Sequence, residues 1–229
     1  MNDCALSYAS SSKPHPRDHY ACGAATGSVA VHPNLSVMAR KPLAAVKLPD
    51  GFVYEPDFLT IEEEADLLRR FEALPFEPFD FHGYIAKRRI MEYGWEYDFG
   101  TRKAATTRPI ADFLVRLREH AAAVAGLPPE ELVEAVVTEY PPGAPIGWHR
   151  DVPQFETIIG ISLGSAARMR LKPYRAEGKL VSLILEPRSI YVMSGPARWK
   201  FQHSIPALEA LRYSITFRTL RKKPQHPAA

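Results

Sequence analysis

The run Tyr140-Pro-Pro-Gly-Ala-Pro-Ile-Gly-Trp-His149-Arg-Asp151 sets an imidazole and a carboxylate two residues apart, just after a Pro-Pro-Gly turn. On an extended backbone, residues i and i+2 share a face. His149 and Asp151 then offer a nitrogen and an oxygen to one point in space. A second imidazole would complete two nitrogens and one carboxylate on one side of an octahedron, a donor set that suits non-haem Fe(II). His-x-Asp alone is a weak motif, and an ordinary His–Asp hydrogen bond beside a turn is the competing reading.

Two features downstream favour the metal. His203 stands 54 residues after His149, a separation at which two strands of a jelly roll can return to the same mouth. Arg212-x-Ser214-x-Thr216-x-Arg218 then places two guanidiniums and two hydroxyls on one face of a strand. Buried cations are costly unless paired, and a dicarboxylate ligand would supply the pairing. The alternative at this point is an outward, solvated face, with Tyr213, Ile215 and Phe217 buried instead.

The positioning elements can be read around these residues. Residues 1–45 mix Ser, Pro, Ala, Gly and His without periodicity and read as a disordered tail. Cys4 and Cys22 fall there as free thiols, which fits a reducing, cytoplasmic setting. The folded part is expected over 46–221, with 222–229 as a second tail. Thr60 caps a helix and Glu63 completes a capping box. Ile110–Ala125 is a second amphipathic helix, closed by Gly126 and Pro128-Pro129. From Leu132 on, six strand-like runs follow one another with short turns and no intervening helices. The fold class expected is mainly β with flanking helices, a double-stranded β-helix (jelly roll) with the two helices on one outer face.

Residues 76–108 alternate aromatics with a basic cluster, in strand-like pieces broken by Gly94 and Gly100 that suggest hairpins acting as a flap. Two readings stay open: a half-buried sheet with a solvated basic edge, or a lid whose rings stack on bases while its cations meet phosphates. The charge of +3 and the pI near 8.8 allow nucleic acid without arguing for it. No apolar run approaches a membrane span and no signal peptide is evident, so no membrane is expected.

Taken together, His149-x-Asp151, His203 and Arg212-x-Ser-x-Thr-x-Arg218 resemble the AlkB family of Fe(II)/2-oxoglutarate dioxygenases, over roughly residues 50–221. Ser214 departs from the family's usual Asn, and Thr138 stands where an Asn is common. The resemblance implies Fe(II) held by His149, Asp151 and His203, with 2-oxoglutarate and O2 as cosubstrates. It implies Arg212 on the distal carboxylate of 2-oxoglutarate, Tyr140 hydrogen-bonded to the cosubstrate, and Arg218, with Ser214 and Thr216, supporting that side of the site. Arg89, Tyr93, Gly94, Tyr97 and Phe99 match the family's nucleotide-recognition lid; Trp95 has no matched role. The implied activity is oxidative dealkylation of alkylated bases in DNA or RNA by a monomer with no protein partner, through hydroxylation of an N-alkyl carbon and release of an aldehyde. Val152-Pro153-Gln154 stand where repair members often carry acids, so the same chemistry on a protein or small molecule stays open. A catalytically silent binding module is the remaining alternative.

Overall fold

The computed structural model divides the chain into two units, Met1–Lys41 and Pro42–Ala229. It describes residues 47–222 except 82, 99–102 and 107 and, for residues 81, 84, 96–98 and 103–106, the backbone alone. The expected N-terminal tail with its two cysteines, and the C-terminal tail beyond residue 222, lie outside the described residues.

The chain runs β1 (Phe52–Glu55), α1 (Ile61–Glu72), β2 (Glu77–Phe81), β3 (Tyr84–Asp98), β4 (Lys103–Thr106), α2 (Asp112–Ala125) and β5 (Leu132–Tyr140). It continues through β6 (Ile146–His149), β7 (Phe155–Leu163), β8 (Ala167–Pro173), β9 (Val181–Leu185), β10 (Ile190–Met193), α3 (Gly195–Trp199), β11 (Phe201–Ile205) and β12 (Arg212–Leu220). Two antiparallel sheets result. The larger has the order β1-β10-β7-β12-β5-β3-β2, with β4 on β3, and the smaller the order β6-β11-β8-β9. This is the expected jelly roll.

Both helices lie against the larger sheet. The α1 N-terminus carries the capping box read from the sequence: Thr60 accepts from the Glu63 amide at 3.1 Å, and Glu63 accepts from the Thr60 amide at 2.9 Å. Leu67 and Phe71 of α1 and Leu114, Leu117, Ala121 and Ala122 of α2 share one core with Val137, Ile161, Ile215 and Phe217 of the sheet. A second core, with Phe155, Ile158, Met169, Leu171 and Leu185, fills the space between the sheets. The central strands of the larger sheet are therefore covered on both faces: the helix side is mainly apolar, and the side between the sheets mixes apolar residues with buried polar ones. Gly160 of β7 is required by this packing: a Cβ there would come within 2.3 Å of the Tyr191 ring that lies over it.

The expected hairpins are formed, β2 pairing β3 and β3 pairing β4, but the break expected at Gly94 is absent, and Gly100 lies outside the described residues. β3 continues through Gly94, whose φ of 78° places its amide on the carbonyl of Arg108 at 2.6 Å. An added Cβ would meet the Val133 carbonyl oxygen at 2.0 Å, so the glycine keeps the strand close to β5 instead of ending it.

Candidate metal centre and cosubstrate berth

β6 and β11 pair with His149 directly opposite His203, and this register is what brings residues 54 positions apart to one place. Their rings stand 4.2 Å apart between centroids. Asp151 lies just past the end of β6 instead of on it. It still reaches the same point: ligand atoms of His149, Asp151 and His203 all lie within 4.8 Å of one another. His149 Nδ1 is 3.0 Å from the Gly147 carbonyl, so Nδ1–H donates there and Nε2 keeps its lone pair for a metal. His203 Nε2 and Asp151 Oδ2 are 3.8 Å apart, too far for a hydrogen bond. The three side chains are turned toward a shared point and not satisfied by one another.

Buried neighbours set the charge of the site. Burial raises the Asp151 carboxyl, but Arg218 and the two histidines outweigh it and hold it well below the usual carboxylate range. Burial, then His149, push His203 down to about 3 against the pull of Asp151. A neutral imidazole and an ionised carboxylate are the forms that bind a divalent ion. The same shift predicts acid sensitivity in the metal-free chain. Below its ordinary pKa the unfolded chain protonates this histidine and the folded chain does not, so stability falls with pH. Going from about pH 7.5 to about pH 5 should cost roughly 2 kcal/mol through His203, read as a lower urea midpoint. Asp151, more acidic when folded, adds to the loss only at lower pH.

β12 supplies the other wall. Tyr213, Ile215 and Phe217 enter the helix-side core, while Arg212, Ser214, Thr216 and Arg218 line a cavity of about 730 Å3 between the sheets, together with the iron-type triad. The outward, solvated reading of this face is overturned, because Arg212 is only 2% exposed. The two arginines then differ in what they touch. Arg218 is paired on both sides, to Glu134 at 2.5 Å and to Asp151 Oδ1 at 3.2 Å. It holds one carboxylate oxygen and leaves Oδ2 facing His203, so it positions the ligand from beside the metal centre, on the side of the site where the resemblance put it. Arg212 donates from Nε to Ser162 Oγ at 3.1 Å and lies over the Tyr140 ring at 5.0 Å. Its Nη1 is buried with no hydrogen-bond partner. Tyr140 meets Ser214 hydroxyl to hydroxyl at 3.3 Å. A buried guanidinium nitrogen without an acceptor suits an incoming carboxylate.

The expected lid is placed differently. Arg89 and Tyr93 lie on the helix side of β3, opposite Glu139 and Ala135 of β5. Arg89 forms a two-pronged bond to Glu139 at 2.8 and 2.9 Å, and Tyr93 packs edge-on to Phe113 in the core. The neighbours Arg88, Ile90 and Glu92 line the cavity instead. In a strand, one position of offset moves a side chain to the other face, and this corrects the assignment of Arg89 and Tyr93 to substrate. Only the backbone of Tyr97 is described, opposite Ala104, and Phe99 lies outside the described residues.

Sequence reasoning missed Glu134, Ser162 and Arg198. Glu134 was visible as a carboxylate within the apolar first half of a strand, Leu132–Val137. Arg198 carried no signal in its spacing. It is 2% exposed, and its Nη2 lies 3.1, 2.8 and 3.0 Å from the carbonyl oxygens of Asp151, Val152 and Phe155. It clamps the loop that presents Asp151. Arg198→Met should weaken metal binding by about 10- to 100-fold, with Arg198→Lys in between, in anaerobic titrations on variants whose melting is checked in parallel.

The family described as the 2OG-Fe(II) oxygenase superfamily matches residues 51–218. The chain is 34% identical over 164 residues to "Alpha-ketoglutarate-dependent dioxygenase alkB homolog 7, mitochondrial" of Bos taurus, covering 69% of this chain and 69% of that protein. The chain belongs to the AlkB family of 2OG-Fe(II) oxygenases. It is also 28% identical over 213 residues to "Alkylated DNA repair protein ALKBH8 homolog" of Arabidopsis thaliana, covering 78% of this chain but 60% of that protein's length. A solved structure described as "The structure of OsALKBH1" superposes with a TM-score of 0.62 at 20% identity, covering 76% of this chain and 98% of that one, a likeness of fold. The AlkB-family cofactors Fe(II), 2-oxoglutarate and O2 fit the residues present: two histidine nitrogens and a carboxylate for the ion, and the partnerless Arg212 nitrogen for the keto diacid.

Proposed function

We propose that this AlkB-family chain is an oxygenase that removes alkyl groups from nucleobases, with alkylated DNA or RNA as its partner. The observation that carries the reading is the single cavity that the metal triad, Arg212 and the ring-bearing mouth share. Its volume, about 730 Å3, suits a small diacid together with one base. At its mouth, cations lie over aromatic faces: Arg88 over Phe79 at 4.2 Å and Arg150 over Tyr174 at 3.8 Å. Rings and guanidiniums side by side are the means by which proteins hold unstacked bases and phosphates. The Arabidopsis relative's printed name, which speaks of alkylated DNA repair, supports the same reading.

Bound Fe(II), with 2-oxoglutarate and O2, supplies the oxidation of a C–H bond while the diacid is converted to succinate and CO2. The chain's own side chains bind and orient. His149, Asp151 and His203 hold the ion, Arg218 and Arg198 fix Asp151, and Arg212 takes the distal carboxylate, with the Tyr140 hydroxyl beside it. Phe155, Ile158 and Met169 line the cavity with apolar surface and limit water. No side chain acts as nucleophile or proton shuttle, and the protein contributes geometry.

The test is mass spectrometry of oligonucleotides carrying N1-methyladenine, N3-methylcytosine or etheno bases, incubated with Fe(II), ascorbate and 2-oxoglutarate. Loss of the adduct only in the presence of 2-oxoglutarate supports the reading. The placement of Arg89 and Tyr93 away from the cavity favours a second reading, the same oxidation of a protein or small molecule. Succinate formation with such a substrate, and inertness on every oligonucleotide, would decide for it.

A further inference from the structure

Outside the cavity, the smaller sheet turns a second surface outward, and its charge is one-sided. β6, β8, β9 and β11 contain no aspartate or glutamate, while β8 carries Arg168, Arg170 and Lys172 at period two. Their alternates, Met169 and Leu171, are buried between the sheets, so the three cations share the outer face. Across the ladder, Arg170 stands opposite Ser204 of β11 and Ser182 of β9, and Lys172 stands opposite Gln202. The strip is held in place: Arg170 Nε donates to Ser204 Oγ at 3.0 Å, and Arg170 and Lys172 lie over the Trp148 ring at 5.0 and 4.4 Å. Trp148 and Gln202 also line the cavity, so the strip runs into its mouth, where Arg150 and Tyr174 stand.

A strip of cations over rings, with hydroxyl and amide groups between them and no carboxylate on its strands, complements a chain of phosphates with bases attached. We propose that the outer face of the smaller sheet is a docking track for single-stranded nucleic acid, which Arg168, Arg170 and Lys172 grip by its phosphates while a neighbouring nucleotide occupies the cavity. The track rests on the nucleobase reading and adds to it. It explains how a chain whose Arg89 and Tyr93 lie on the face of β3 away from the cavity holds a polynucleotide. The strand runs along the sheet edge-on to the cavity, so the affinity comes from flanking nucleotides and not from the alkylated base. Unmodified strands therefore bind as well.

The probe is an unmodified fluorescein-labelled oligothymidylate, titrated by anisotropy over a range of salt against the full chain and against the triple variant Arg168→Gln, Arg170→Gln, Lys172→Gln. The variant should bind at least about tenfold more weakly, and the slope of log affinity against log salt should fall by about 2, since each single-strand phosphate contact contributes about 0.7. Succinate formation without a second substrate and metal affinity should stay at parental values, because none of the three residues lines the cavity. Parental binding and slope in the variant overturn the track and leave the nucleobase reading in place. No binding of the unmodified oligonucleotide by the parent also overturns the track, and the nucleobase reading is then decided by adduct loss alone. Capture on vesicles of anionic phospholipid, with no oligonucleotide bound, likewise overturns the track.

Discussion

His203→Ala abolishes Fe(II) binding and, with it, 2-oxoglutarate turnover, while the protein stays folded. The ladder that carries His203 is backbone: β11 pairs β6 on one side and β8 on the other, with His203 opposite His149 and Leu171. Truncation removes a neutral ring from a buried position and leaves those bonds intact. The metal loses one of three protein ligands, and the two that remain cannot enclose one side of an octahedron. Loss of a mere orienting partner costs about 10- to 100-fold in metal affinity, so loss of a ligand should cost more than about 100-fold. Anaerobic titration with Fe(II), and with Mn(II) as a redox-silent substitute, reads the affinity, and succinate formation reads turnover. His120→Ala is the control: that histidine sits exposed on α2, away from the site, and both readings should stay parental. A folded His203→Ala variant that binds Fe(II) as the parent does would sink the assignment of the metal centre.

The triad and the arginine berth were legible because their signals are local in kind. A His-x-Asp pair and a period-two run of polar residues keep their meaning in any extended segment. What converged them, the β6–β11 register, is tertiary, and the 54-residue gap only allowed it. Parity was the step that failed. β12 could be read correctly because an Arg-x-Ser-x-Thr-x-Arg face has a chemical use, yet the rival outward reading fell only once Arg212 was seen to be buried between the two sheets. β3 offered no such guide, since cations fall on both faces, Lys87 and Arg89 on one and Arg88 on the other. Arg89 and Tyr93 therefore went to the cavity on the strength of the resemblance, when Arg88 and Glu92 line it. Gly94 misled for a related reason. A glycine with positive φ usually marks a turn, whereas here it lets one strand lie close to its neighbour. Arg198 could not be read at all, because its work is defined wholly by three carbonyls more than forty residues away in sequence.

Arg212→Met separates the berth from the metal. In the parent, a guanidinium 2% exposed holds one hydrogen bond to Ser162 and leaves Nη1 without an acceptor. Its desolvation is uncompensated until a carboxylate arrives, so the free protein carries a cost that 2-oxoglutarate relieves. Methionine fills similar space without a charge. The variant should therefore melt no lower than the parent when both are free of ligand, and Fe(II) binding should be preserved, since Arg212 touches none of the three ligands. Addition of 2-oxoglutarate should raise the melting temperature of the parent and leave the variant unmoved. In turnover, the KM for 2-oxoglutarate should rise by about 100-fold, the scale on which truncating one side of a buried charge pair acts, with kcat changed far less, because the contact is made equally in ground and transition states. A variant whose kcat collapses while its KM holds would place Arg212 at the reacting centre instead. One that loses Fe(II) would join the berth to the metal site as a single unit.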